Sequence, residues 1–327
     1  MDTIQSREQQ GRVADAPSRH WVYRALPRGM WPYAQLARWD RPIGWWLLLW
    51  PCWWSTALAA AAGTGPGASL ATAMPSPWDM ALFLIGAVAM RGAGCTYNDL
   101  VDQDIDGKVE RTRSRPLPAG KVSRKKALAF IAIQALVGLV VLLQFNAFTI
   151  GLGFASLAVV AIYPFMKRFT DWPQLVLGFA FSWGALMGWA AAFGRLDPPA
   201  LMLYAGSVLW VIGYDTIYAH QDKEDDALVG VRSTARLFGE STKSWLLAFY
   251  GGALVCFALA FASAGAPLPA LAGLFAAAVH MGRQILALDI DKPEQCLTLF
   301  RSNGTVGWLI FLGLVGGTAW TVLKPMV

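Results

Sequence analysis

Apolar residues in this chain come in long runs. Nine of them, roughly 43–63, 79–99, 126–145, 147–165, 172–193, 200–220, 244–264, 267–286 and 304–323, approach the ~20 residues that a helix needs to cross a bilayer. Two pairs of runs are joined tightly, at Gln144–Asn146 and Ala264–Pro267, and longer polar loops fall at 100–125, 221–243 and 287–303. The pattern predicts an all-α, polytopic membrane protein with about nine transmembrane helices. Before the first run, WPYAQLARWDRPIGWW (Trp31–Trp46) mixes aromatic, basic and apolar residues, which suits a short helix lying among lipid headgroups. Pro42 then suits the first turn of the first span. The expected division is a polar N-terminal segment, 1–30, and a membrane unit, 31–325.

Composition sharpens this reading. Hydrophobic residues make up 56% of the 327 positions and charged residues only 15%, against about 25% charged in ordinary soluble domains. The net charge of +6 points to no nucleic-acid partner, because the basic residues sit in loops between apolar runs. With nine spans, the N-terminal segment and the loops after the even-numbered spans hold 24 of the 27 lysines and arginines; Arg91, Arg195 and Lys324 are the exceptions. Cytoplasmic loops are enriched in Lys and Arg, so the N-terminus is expected in the cytoplasm. Cys52, Cys95, Cys256 and Cys296 form no CxxC pair and read as packing residues. No short apolar h-region marks a signal peptide. Asp2, Glu8, Asp15 and Asp40 weigh against a transit peptide, so a bacterial cell inner membrane is expected, with a mitochondrial inner membrane as the alternative.

The candidate chemistry lies in two acidic loops on the basic side. YNDLVDQDID (Tyr97–Asp106) carries four aspartates in ten residues. On a continuous helix, Asn98, Asp99, Asp102 and Asp106 fall within an arc of about 100°, and Arg91 lies on the same face about 10 Å deeper in the membrane. Gly107 offers a stop. In YDTIYAHQDKEDD (Tyr214–Asp226) the same construction puts Asp215, Tyr218, Asp222 and Asp226 on one face. Carboxylates converging on one cavity repel each other unless cations lie between them, and an oxygen-rich site of this kind suits Mg²⁺ held with waters and substrate phosphates. Arg111, Arg115, Lys121 and Lys167 would complete a diphosphate site. An arginine within a span is a functional candidate by default.

NDLVDQDID resembles the NDxxDxxxD signature of the UbiA superfamily of intramembrane prenyltransferases at Asn98, Asp99, Asp102 and Asp106. DTIYAHQDKEDD resembles that family's second motif at Asp215, Tyr218, Asp222 and Asp226. RPIG (Arg41–Gly44), RSRPLPAGKVS (Arg113–Ser123), YPFMKR (Tyr163–Arg168), PQLVLGFAFSWG (Pro173–Gly184) and GVRSTARLFG (Gly230–Gly239) are similar to segments of its 4-hydroxybenzoate polyprenyltransferase branch, over roughly residues 32–320. The resemblance implies a central cavity open to the cytoplasmic side. It also implies Mg²⁺-dependent transfer of a polyprenyl chain from its diphosphate to the ring carbon ortho to the hydroxyl of 4-hydroxybenzoate, in ubiquinone synthesis. Asn98, Asp102, Asp106, Asp215, Asp222 and Asp226 are then expected to hold Mg²⁺–diphosphate, directly or through water. Arg111 and Lys167 are the expected phosphate cations, and Tyr163 and Tyr218 the hydrogen-bond donors. Arg91 is the candidate anchor for the acceptor carboxylate, with the diphosphate or Asp99 as its alternative partners. Asp99 or Asp102 is the candidate acceptor of the ring proton. Asp222 joins them as a catalytic carboxylate. The expected partners are the two substrates and the lipid bilayer.

Three other readings compete. A sister branch would share both motifs and differ in acceptor. A CDP-alcohol phosphotransferase needs a DGxxAR-type segment, which IDGKVER (Ile105–Arg111) is not. A transporter would place its relay carboxylates near the bilayer midplane, whereas these lie at helix ends.

Overall fold

The computed structural model describes residue 13, residues 20–65 and residues 67–324; the side chains at 225, 226 and 229 lie outside that description. Each apolar run is a helix: α1 Ile43–Ala62, α2 Pro77–Val101, α3 Arg124–Leu142, α4 Ala147–Phe169, α5 Pro173–Phe193, α6 Pro198–Ala219, α7 Thr242–Ser263, α8 Ala270–Ala287 and α9 Pro293–Leu323. Among the described residues there is no strand. Eight helices are long and apolar enough to cross a membrane. The remaining one, α1, has 20 residues, about 30 Å of helix, and its tryptophans lower its mean hydropathy. The chain is a multi-pass membrane protein.

Local chemistry sets the helix starts. Ser76, Ser123 and Asn146 each accept a hydrogen bond from the backbone N–H three residues on, at the heads of α2, α3 and α4, and so satisfy amides that the helix leaves unpaired. Pro173, Pro198 and Pro293 occupy first helical positions, where a missing N–H costs nothing. Trp183 interrupts α5, and beyond it Gly184 and Gly188 press on α1. A Cβ at Gly184 would lie 2.3 Å from Cys52 Sγ, and one at Gly188 2.7 Å from the Cys52 carbonyl oxygen. Small residues at this spacing let two membrane helices touch along their backbones.

The buried helix α1 packs against α2, α5 and α9. Trp54 donates to the Gly307 carbonyl at 2.9 Å and Ser55 to the Ala185 carbonyl at 2.5 Å. α6 lies against α5, α7 and α9, and Trp210 donates to Asn303 of α9 at 2.9 Å. α3 and α4 are different. Each has only 11% of its apolar window buried; α3 leans on α2, α4 leans on α5, and the two barely meet.

Two features differ from the expectation, and two agree with it. The helix through the first acidic motif is not continuous: it ends at Val101, turns at Asp102 (φ −99°, ψ 6°) and restarts over Gln103–Asp106. Gly107 does end it, in a right-handed conformation. Residues 20–30 also pack onto the membrane unit, where Val22 is fully buried and the Tyr23 hydroxyl donates to Asp40 at 2.8 Å. The short interfacial helix is Trp31–Leu36.

Candidate active site

Two connected cavities mark the site. The larger, about 1510 Å³, runs through the bundle from the basic loops to the gap between α3 and α4. Its walls toward the gap are apolar, with Ala135, Gly138 and Leu142 from α3 and Phe154, Leu157 and Val160 from α4. The smaller, about 220 Å³, lies at the basic end and is lined by Asn98, Asp106, Asp215 and Asp222 together with Arg111, Arg115, Lys167, Tyr163 and Tyr218. Asn98, Arg111, Arg115, Tyr163, Asp215 and Tyr218 face both.

Elements distant in sequence bring these groups together. Tyr163 and Lys167 are one turn apart on α4, and Asp215 and Tyr218 lie on the last turns of α6. A 3-10 turn over His220–Asp222 carries that helix on to Asp222. The loop after it folds over the site: the Arg232 N–H donates to the Lys167 carbonyl at 3.0 Å and the Thr234 N–H to Gln174 at 3.1 Å. Val231, Arg232 and Ser233 thereby wall the polar cavity.

The carboxylates divide into two groups. Asp99 and Asp102 are fully buried and line neither cavity. Asp99 accepts from Arg38 at 2.6 Å and from Arg115 at 3.5 Å; Asp102 accepts from Lys167, and from Arg168 at 3.4 Å. Asp106, Asp215 and Asp222 do line the polar cavity. Asp106 pairs with Arg115 at 2.9 Å and Asp222 with Arg111 at 2.5 Å. Burial raises the Asp106 carboxyl above the usual carboxylate value, and the Arg115 guanidinium offsets this only in part. Removing one member of such a buried pair strands the other charge. Asp99 and Asp102 therefore hold cations in place, and their position lends no support to either as acceptor of the ring proton.

Arg91 lines the large cavity and is not bonded to Asp99. Its Cζ lies 4.9 Å from the centre of the Phe181 ring, and its buried Nε has no hydrogen-bond partner. Lys121 is exposed, away from both cavities. The Asp226 side chain, an expected metal ligand, lies outside the described residues. Among the described residues no three carboxylate, histidine or cysteine side chains converge as a closed metal cage. The lining offers oxygen donors, which suits a hydrated Mg²⁺, since that ion keeps several waters and takes one or two carboxylates plus substrate phosphates.

Sequence reasoning missed Arg38, the main partner of Asp99. It is the one non-glycine residue with positive φ (57°) among the described residues, and in the sequence it is an ordinary arginine in a basic interfacial stretch. Gly44 and Phe181 beside Arg91 were also missed as site residues, although both fall in segments already singled out, RPIG and PQLVLGFAFSWG.

An all-helical membrane bundle with carboxylates and cations gathered at the basic end of a long apolar cavity defines a membrane protein that handles a charged head on an apolar tail. Residues 48–305 match the UbiA prenyltransferase family, and the chain belongs to that family. It is 48% identical over 297 residues to the mitochondrial 4-hydroxybenzoate polyprenyltransferase of Bos taurus, covering 90% of this chain and 78% of that one. It is 47% identical over 304 residues to the protein of the same name from Homo sapiens, covering 93% and 80%. Among solved structures, the apo UbiA homolog from Aeropyrum pernix K1 superposes with TM-score 0.68 at 25% identity, over 83% of this chain and 97% of that one. A UbiA homolog from Archaeoglobus fulgidus bound to GPP and Mg²⁺ shares the fold, with TM-score 0.60 at 18% identity over 90% and 99%.

Proposed function

We propose that this chain transfers a polyprenyl chain from polyprenyl diphosphate to the carbon ortho to the hydroxyl of 4-hydroxybenzoate, a step of ubiquinone synthesis. One observation carries the reading: Asn98, Asp106, Asp215 and Asp222 line a single polar cavity with Arg111, Arg115 and Lys167, and that cavity opens into a long apolar one holding Arg91. The names of the relatives at 47–48% identity support it.

Asn98, Asp106, Asp215 and Asp222 are the residues that would hold Mg²⁺, with Asp102 behind them and Asp226 as a further expected ligand. Bound Mg²⁺ supplies positive charge to the diphosphate as the allylic C–O bond breaks. Arg111 and Lys167 turn from their carboxylate partners to the phosphate oxygens, where charge-assisted hydrogen bonds are strongest. Tyr163 and Tyr218 donate hydrogen bonds beside them. The apolar walls exclude water from the allylic cation, and the gap between α3 and α4 gives the long tail a way into the bilayer. Arg91 holds the acceptor carboxylate, and the electron-rich ring attacks the cation and then loses its proton. The named relatives are mitochondrial and give no support to a bacterial location; the reading kept is an inner membrane with the N-terminus on the basic side.

The test is prenyl transfer in membranes containing the full chain, with polyprenyl diphosphate and 4-hydroxybenzoate, with and without Mg²⁺, beside Asp222→Asn. Mg²⁺-dependent product that disappears in the variant is expected. Product with another aromatic acceptor only would move the chain to a sister branch. No product with any acceptor, from folded protein, would end the reading.

A further inference from the structure

Arg91 reaches the cavity from α2, and two residues from other helices meet its guanidinium. Gly44, buried in the first turn of α1, lies against one edge. A Cβ there would sit 2.8 Å from Nε, 3.1 Å from Nη2 and 3.4 Å from Cζ. Both nitrogens are nearer than the carbon, so the glycine abuts the Nε–Nη2 edge, which accounts for a buried Nε with no hydrogen-bond partner. Phe181, buried on α5 just ahead of the break at Trp183, places its ring centre 4.9 Å from Cζ, within the range of a cation–π contact. Neither neighbour is a carboxylate, and Arg91 makes no ion pair among the described residues. Its charge acts through space on the Asp215 carboxylate, but no carboxylate of the described residues lies in ion-pair contact with it.

We propose that Gly44 and Phe181 form a clamp that fixes the plane of the Arg91 guanidinium, and that this clamp makes the enzyme selective for acceptors carrying a planar carboxylate. The inference rests on the reading of Arg91 as the acceptor anchor. Contacts at the Nε edge and from the ring leave the terminal nitrogens, Nη1 and Nη2, for a carboxylate. A two-pronged hydrogen bond requires the guanidinium and carboxylate to be nearly coplanar, so a small rotation loses one prong. A methyl group at position 44 forces that rotation, because 2.8 Å is below any ordinary contact. Gly44 and Phe181 are thus positioning residues that act through Arg91.

The experiment measures KM for acceptor and for donor separately, in membranes containing the full chain. Wild type, Gly44→Ala, Phe181→Leu and Arg91→Gln are compared with 4-hydroxybenzoate and with uncharged 4-hydroxybenzamide. Gly44→Ala is expected to raise KM for 4-hydroxybenzoate about tenfold or more, since a misplacement of about 1 Å can cost up to about 10²-fold. KM for the polyprenyl diphosphate and the benzamide rate change by much less. Phe181→Leu shifts acceptor KM in the same direction by less, and decides the matter if Gly44→Ala does not fold. Wild-type acceptor KM in both clamp variants, with a raised value in Arg91→Gln, overturns the clamp and leaves the anchor standing. Wild-type acceptor KM in Arg91→Gln overturns the anchor, and the clamp with it. A rise in donor KM equal to the rise in acceptor KM shows general distortion of the site and also overturns the clamp.

Discussion

The two acidic motifs look alike in sequence and behave differently in the fold. In the first, Asp99 and Asp102 are fully buried and tied to Arg38, Arg115, Lys167 and Arg168, while Asn98 and Asp106 face the cavity. In the second, Asp215 and Asp222 both face it, on a helix that continues through one 3-10 turn. The first motif is scaffold and site at once: its inner carboxylates dock the N-terminal turn and the end of α4, and those ion pairs hold the cations that the cavity presents. The second motif lines the site with both carboxylates, and its one ion pair, Asp222–Arg111, lies at the cavity rather than behind it. A carboxylate's place in a motif therefore does not settle whether its loss costs stability or activity.

Four substitutions break or sharpen that contrast. Asp222→Asn is expected to lower kcat by about 10²–10³, the usual cost of removing one preorganised charge contact, with a smaller fall in melting temperature in detergent than Asp99→Asn, because the Asp222–Arg111 pair is partly exposed. A large fall in melting temperature would make the second motif scaffold as well. Asp99→Asn leaves Arg38 buried beside a neutral group, and breaking a buried pair costs about 3–5 kcal/mol. Thermal denaturation checks this, and an unchanged melting temperature with lost turnover would place Asp99 in the chemistry after all. Ala135→Trp, on the apolar wall of the large cavity, is expected to cut turnover about tenfold with a long polyprenyl donor, a loss of about 1.4 kcal/mol in transition-state stabilisation, and to spare geranyl diphosphate. Equal loss with both donors would remove the tail from that wall. The smallest effect belongs to Asp104→Asn. Asp104 sits inside the first motif but is exposed, and surface changes stay within about 0.5 kcal/mol. Its activity and melting curve are expected to match wild type.

The apolar runs announced the helices well. The run at 79–99 became Pro77–Val101 and the run at 147–165 became Ala147–Phe169, because a backbone without water must satisfy its hydrogen bonds within the helix. The run at 304–323 was extended backwards to Pro293. Its first turns carry Glu294, Gln295, Arg301 and Asn303 and fall outside an apolar count. The site residues were legible as types and clusters, since two groups of carboxylates on the basic side stand out against apolar sequence. The break at Asp102 was not legible, because nothing in QDID resists a helix, and the turn goes with the pull of Lys167 and Arg168 from another element. Arg38 was hidden for a similar reason: its left-handed backbone and its pairing with Asp99 depend on how the N-terminal turn meets α2.

By itself, then, the sequence determined the all-helical membrane architecture and the gathering of charged side chains at the basic ends of the helices. These follow from transfer energies and hydrogen-bond satisfaction, which act residue by residue along the chain. Only the tertiary structure decided which aspartates face the cavity and which are spent on arginine and lysine. It also decided that Gly44 and Phe181 flank Arg91, and that a gap opens between α3 and α4. Each of these depends on side chains from separate helices meeting at a few ångströms, where Coulomb energy and steric contact change steeply with distance.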